Sequence, residues 1–177
     1  MKYFYSLLAV LFSILAFFFT NHTPRHHPRI EQENKWNSNA VVEWAKNNLP
    51  QNGILKEDPD GFVYLKVDDG YINQLFPQLH VRNYVKPPFF RRPDAPGAHI
   101  SVIYVEELRR IGKIKEIGSS YTFTIKSLAF VPPQTGEFII LQVESPELDN
   151  LRSSYGLSPH LKGHQFHISI AKRRFRR

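Results

Sequence analysis

A four-residue phrase occurs twice in this chain: His99-Ile100-Ser101-Val102 returns as His167-Ile168-Ser169-Ile170. Side chains alternate between the two faces of a β-strand. In each copy the histidine and serine therefore share one face and the apolar residues share the other. A bare His-x-Ser spacing arises readily by chance. Flanking apolar residues at the alternate positions of both copies, with Phe166 extending the second, make a much stronger demand. The pattern requires two strands, each buried on one side and each offering an imidazole and a hydroxyl on the other.

The phrase closes a longer repeat. Phe62-Val63-Tyr64-Leu65-Lys66-Val67-Asp68 matches Phe138-Ile139-Ile140-Leu141-Gln142-Val143-Glu144. Beyond each lies a polar turn, then Ile72 and Leu75 in the first copy and Leu148 and Leu151 in the second, at a constant offset without a gap. Each half reads strand, short helix, loop, His-x-Ser strand, with the longer connection in the first. Internal repetition decides the organisation of a fold before any single element does.

Two H-Φ-[ST]-Φ motifs, one in each half, resemble the signature of the 2H phosphoesterase superfamily. The likeness covers roughly Phe62 to Ala171. It implies an α+β, pseudo-two-fold, bilobal fold: two mainly antiparallel sheets with outer helices and a central cleft. It also implies a metal-independent phosphodiesterase, without a cofactor, acting on an RNA end or a cyclic nucleotide through a 2′,3′-cyclic phosphate or a phosphodiester. By this resemblance His99 and His167 are the general acid and base, and Ser101 and Ser169 bind the substrate phosphate. The residue types suit the task. Imidazoles titrate near neutrality and can divide the two proton transfers. Hydroxyls can donate to the non-bridging oxygens where charge collects. Which histidine is acid and which base stays open. The alternative is a non-catalytic, membrane-anchored module that binds RNA or a nucleotide; it would need positive charge rather than a paired acid and base.

Other candidates are less specific. Lys86 and Arg92, with Arg91, lie in the proline-rich approach Tyr84 to Gly97 and could hold a second phosphate, since guanidinium matches phosphate oxygens. Tyr104 and Tyr155 could stack a base. His160, His164 and His167 have a zinc-like spacing, but Pro159 and Gly163 oppose the helix that would align them. There is no cysteine, which excludes thiolate chemistry and disulfides. No P-loop, dinucleotide-binding glycine motif or nucleophile elbow is present.

The two ends differ in character. Tyr3 to Phe19 is almost continuously apolar and lacks a small-residue cleavage signal, so residues 1–20 read as a transmembrane signal anchor. Lys2 favours the N-terminus inside while Arg25 and Arg29 oppose it; the expected side for the domain is extracytoplasmic. Residues 21–35 read as a polar linker, 36–171 as the phosphoesterase-like domain and 172–177 as a basic tail. That tail, Lys172-Arg173-Arg174-Phe175-Arg176-Arg177, carries much of the formal charge of +7 and suits a polyanion or an anionic membrane surface. The expected partners are an RNA or nucleotide substrate and the membrane, with the chain a monomer. Hydrophobic content of 42% and aromatic content of 14% oppose disorder. The remaining elements read as a helix over Ser38 to Asn48, a charged turn over Lys56 to Gly61, a short helix from Val105 to Ile114, a strand from Tyr121 to Phe130, and a helix from Pro146 to about Tyr155.

Overall fold

The computed structural model describes residues 28–88, 95–132 and 135–174, with side chains from Ser38 onward. The chain divides into two compact units, residues 1–34 and 35–177. Of the first, residues 28–34 are described and are helical. The second carries the sheet.

The helix expected at Ser38 starts ten residues earlier: α1 spans Pro28–Asn48. A proline suits the first helical position, where its missing N–H has no partner to lose. Val41, Val42, Ala45 and Leu49 are buried, the helical stripe that the sequence displays. β1 (Asn52–Glu57) follows and was not anticipated; Leu55 is its one buried residue. Then come β2 (Val63–Lys66), the short helices α2 (Gly70–Asn73) and α3 (Leu75–Gln78), β3 (Tyr84–Val85), β4 (His99–Ile103), α4 (Val105–Ile111), β5 (Ser120–Thr122), β6 (Thr124–Val131), β7 (Phe138–Glu144), α5 (Pro146–Ser154) and β8 (His167–Arg173). α5 starts by several coincident rules. Ser145 caps it, accepting from the Leu148 N–H at 3.2 Å, Pro146 follows, and Glu147 and Asp149 sit in the first turn, where the helix dipole favours them.

The strands form one curled antiparallel sheet of eight in the order β5-β1-β2-β4-β8-β7-β6, with β3 pairing β8 off this path. Two sheets facing across a cleft were expected; the sheet is single. The reason is direct: β4 and β8, the two motif strands, pair with one another through Ile100 and Ile168. The halves are joined at a seam.

The repeat is legible in the register. Tyr64, Leu65 and Lys66 oppose Ser101, Ile100 and His99. Ile140, Leu141 and Gln142 oppose Ser169, Ile168 and His167. Both halves carry an irregularity at the same place, between Val63 and Tyr64 and between Ile139 and Ile140. Each inserts one extra residue into the motif strand, Val102 or Ile170, as a bulge does. Consecutive residues Val102-Ile103 and Ile170-Ala171 are accordingly all fully buried. The core lies on the helix side of the sheet. It gathers Ile100, Val102, Ile168 and Ile170 with Tyr71, Ile72 and Leu75 from α2 and α3 and Leu148 and Leu151 from α5.

β8 runs two residues into the segment read as a basic tail. Lys172 and Arg173 oppose Val85 and Tyr84, and Arg173 Nη1 donates to the Thr135 carbonyl at 2.7 Å. Among the described residues no helix is long and apolar enough to cross a membrane; the apolar segment Tyr3 to Phe19 lies outside them.

Candidate active site

Pairing of Ile100 with Ile168 in an antiparallel ladder sets His99 opposite Ser169 and Ser101 opposite His167. Ile100 and Ile168 are fully buried on the helix side, so the four polar residues lie together on the other face. All four are half-buried. Directly opposed residues bring Cβ atoms to about 5 Å, and diagonal ones to roughly 7–8 Å. The two histidines form one diagonal of this square and the two serines the other.

The histidines are held alike. His99 Nδ1 lies 2.8 Å from the Gly97 carbonyl, and His167 Nδ1 lies 3.2 Å from the Gln165 carbonyl. A carbonyl only accepts, so each Nδ1 carries the proton of the neutral ring and Nε2 is the basic nitrogen. Gly97 is required where it stands. Its φ is +63°, and a Cβ would lie 2.5 Å from Asp69 Oδ1 and 2.6 Å from Lys66 Nζ.

Burial lowers the His99 imidazole below its ordinary value of 6.5; the Gly97 carbonyl pulls it back up, while the charges of Lys66 and His167 lower it further. Burial likewise lowers His167, opposed by the Gln165 carbonyl and aided by His164. Both rings are therefore neutral at pH 7, fit to accept a proton, and an arriving anion would raise both.

The surroundings of the square recur in pairs but differ in chemistry. Lys66 lies beside His99, and Gln142 beside His167. Lys66 Nζ pairs with Asp69, whose carboxylate also takes the Ala98 N–H at 2.8 Å. Gln142 accepts from Ser127 Oγ at 2.6 Å. Tyr64 stacks on Phe62 at 5.5 Å, and Phe62 on Tyr104 at 6.0 Å; Tyr64 and Phe62 meet the His99 ring edge-on at 5.6 and 5.8 Å. In the second half Ile140 replaces Tyr64, and Lys172, 5.3 Å above the Phe138 ring, takes the place of Tyr104.

Of the sequence candidates, His99, Ser101, His167 and Ser169 come together, and Tyr104 stands beside them. Lys86 has a partner outside this group: its Nζ donates to Asn73 Oδ1 at 2.8 Å. Arg92 and Arg91 lie outside the described residues. Tyr155 serves elsewhere, accepting from the Lys115 N–H at 3.0 Å and donating to Glu116 at 2.7 Å. Among the described residues no three His, Asp or Glu side chains are grouped to hold a metal ion.

Two features escaped the sequence reading. Lys66 is one, a cation inside an apolar strand. Arg152 is the other, fully buried beneath β4. It donates to the Val102 carbonyl at 2.5 Å, to the Ser158 carbonyl at 2.7 Å, and to both Glu107 oxygens at 3.1 and 2.8 Å. Glu107 Oε2 also accepts from the Tyr104 N–H at 3.0 Å. The motif strand, α4 and α5 are thereby tied at one point. A signal existed: Leu148 and Arg152 are four apart, on the same helix face.

The family model for the Swiss Army Knife 2H phosphoesterase domain matches residues 63–175 of the chain. No curated protein and no solved structure matches it.

Proposed function

The chain belongs to the 2H phosphoesterase family, and we propose that it is a metal-independent phosphodiesterase acting on a 2′,3′-cyclic phosphate, or on a phosphodiester beside a hydroxyl, at an RNA end or in a nucleotide. The observation that supports this is the diagonal pair at the β4–β8 seam: two imidazoles on one face of the sheet, each with Nδ1 committed to a carbonyl two residues back. A neutral imidazole takes a proton from the attacking water as its oxygen bonds to phosphorus. The opposite, protonated imidazole gives its proton to the departing ribose oxygen as that P–O bond breaks. The product is a phosphomonoester, and the next exchange with water resets both rings. Ser101 and Ser169 donate to the two non-bridging oxygens, where transition-state charge collects. Attack and departure must be in line, and imidazoles on a diagonal across the phosphorus meet that need. The Tyr64-Phe62-Tyr104 column beside His99 would serve the nucleoside part of such a substrate. The apolar segment within residues 1–20 would anchor the domain to a membrane.

The test is turnover of 2′,3′-cyclic nucleotides and short RNAs, with and without chelator. His99→Ala and His167→Ala should each lower the rate on the order of 10²–10⁴ without loss of fold, since neither side chain belongs to the core. Near-normal turnover in either variant defeats the mechanism. Tight binding of RNA without turnover by the wild-type protein would favour a binding module instead.

A further inference from the structure

We propose that Lys162 is a third phosphate ligand of the seam, its ammonium binding a non-bridging oxygen beside Ser101 and His167. This rests on the reading of the seam as a phosphoryl site. A cavity of about 50 Å³ is lined by Ser101, His167, Tyr104, Leu161, Lys162 and His164 among others. Lys162 thus shares a cavity with one serine and one histidine of the square, although it belongs to neither motif. Its Nζ stands 4.4 Å over the centroid of the Tyr104 ring, and that ring is backed by Phe62 and Tyr64. A cation over an aromatic face is attracted to the ring, which keeps the exposed Lys162 ammonium beside the cavity wall.

The backbone makes the same point. Lys162 has φ +50°, in a turn closed by the bridge between Leu161 and His164. A left-handed residue is most easily a glycine, as at Gly163 next to it. Lysine brings to this position a charge that glycine lacks. Its carboxylate partner holds it only loosely. Glu106 Oε1 lies 3.0 Å from Nζ, with the two side chains 62% and 60% exposed, and such surface pairs contribute little. A phosphate oxygen in the half-buried cavity can take that partner's place. Lys66, beside His99, is built into the strand pair by Asp69 and the Ala98 carbonyl. A lysine acts on phosphate as a point charge and needs no planar fork.

Lys162→Gly and Lys162→Gln test the assignment, with inorganic phosphate as the binding probe in calorimetry and a 2′,3′-cyclic nucleotide as the substrate. Loss of a charge-assisted bond should weaken phosphate binding roughly 10- to 100-fold and raise KM by a similar factor. The glycine variant should melt no lower than wild type, because the left-handed turn suits it. Glu106→Gln should bind phosphate at least as tightly as wild type. Unchanged phosphate affinity in both lysine variants, no phosphate binding by the wild-type protein, or a weakening matched by a fall in melting temperature overturns the assignment. The two readings fail separately. If the histidine variants lose turnover while Lys162→Gly keeps wild-type KM and phosphate affinity, the phosphoryl site stands and the lysine assignment falls. If the histidine variants keep turnover, the site itself falls.

Discussion

Replacing Arg152 by leucine should be among the most damaging single changes in this domain, although Arg152 itself belongs to neither motif. The guanidinium is fully buried and makes four hydrogen bonds, to the Val102 and Ser158 carbonyls and to both oxygens of Glu107. Leucine removes every donor at once. It leaves two carbonyls without this partner and a carboxylate whose side chain is only 15% exposed. Breaking a buried ion pair from one side costs about 3–5 kcal/mol. An orphaned buried acceptor adds about 1–3 kcal/mol when nothing replaces its partner. Glu107 keeps the Tyr104 N–H and some water, so the lower range, about 3–5 kcal/mol in all, is the expected loss. At about 3 °C per kcal/mol for a domain of this size, the melting temperature should fall by roughly 10–15 °C. Urea and thermal unfolding followed by circular dichroism at pH 7 measure it. The double variant Glu107→Leu/Arg152→Leu removes the orphan charge and should recover part of the loss; Glu107→Leu alone, which strands the guanidinium, should not. A loss under about 1 kcal/mol for Arg152→Leu, or a double variant no better than the single, would refute the reasoning.

Further outcomes are expected. Because burial holds both imidazoles below 6.5, the form with one neutral and one protonated ring is most populated on the acid side of neutrality. The kcat/KM profile should therefore be a bell with its maximum below pH 6.5, and an optimum above pH 8 would contradict it. Folding stability has the same sign. Depressed imidazoles contribute stability that is present above pH 6.5 and lost as pH falls through their folded values. Glu107 is raised by burial but lowered more by Arg152 and the Tyr104 N–H, and its contribution is lost further down, below 4.5; urea midpoints should fall in that order on acidification. Deleting residues 1–20 should release a soluble, folded domain, since the sheet lies within 35–177; an insoluble product would place the apolar segment in the core. Truncation after Arg174 should raise KM severalfold for an oligonucleotide at low salt and leave a mononucleotide unaffected. Truncation after Ala171 should cost stability as well, because Lys172 and Arg173 are paired in the sheet.

The half-repeat was legible because its signals are local. The sequence pattern marked β2, β4, β7 and β8 as strands; that β2 pairs with β4 and β7 with β8 through the same three positions is what the structure adds. Pairing of β4 with β8 was not legible. Two strands apolar on one side can face across a cleft or lie edge to edge, and alternation reads the same in both. β1 was missed because Gly53, Lys56 and Glu57 break the alternation and only Leu55 is buried. β3 was hidden in a proline-rich stretch. The break at Phe123 divides what reads as one strand, because Phe123 turns into the core between β5 and β6. Of the site, the motif residues could be named in advance. Lys66 and Arg152 were passed over, Arg152 despite its place on the Leu148 face of α5, since a charged residue in an apolar pattern is ordinarily read as an interruption rather than as a contact.

The seam also has the form of a local dyad passing between β4 and β8. A phosphoryl group in flight has the same symmetry: its entering and leaving oxygens exchange under a half-turn, as do two of its equatorial oxygens. On the proposed mechanism a site of this form has no built-in direction, and microscopic reversibility would let each imidazole play either part. Direction must then come from whatever breaks the dyad: Tyr64 against Ile140, Lys66 against Gln142, Tyr104 against Lys172. Exchanging these pairs, with the histidines untouched, is the route by which this scaffold would come to accept its substrate the other way round.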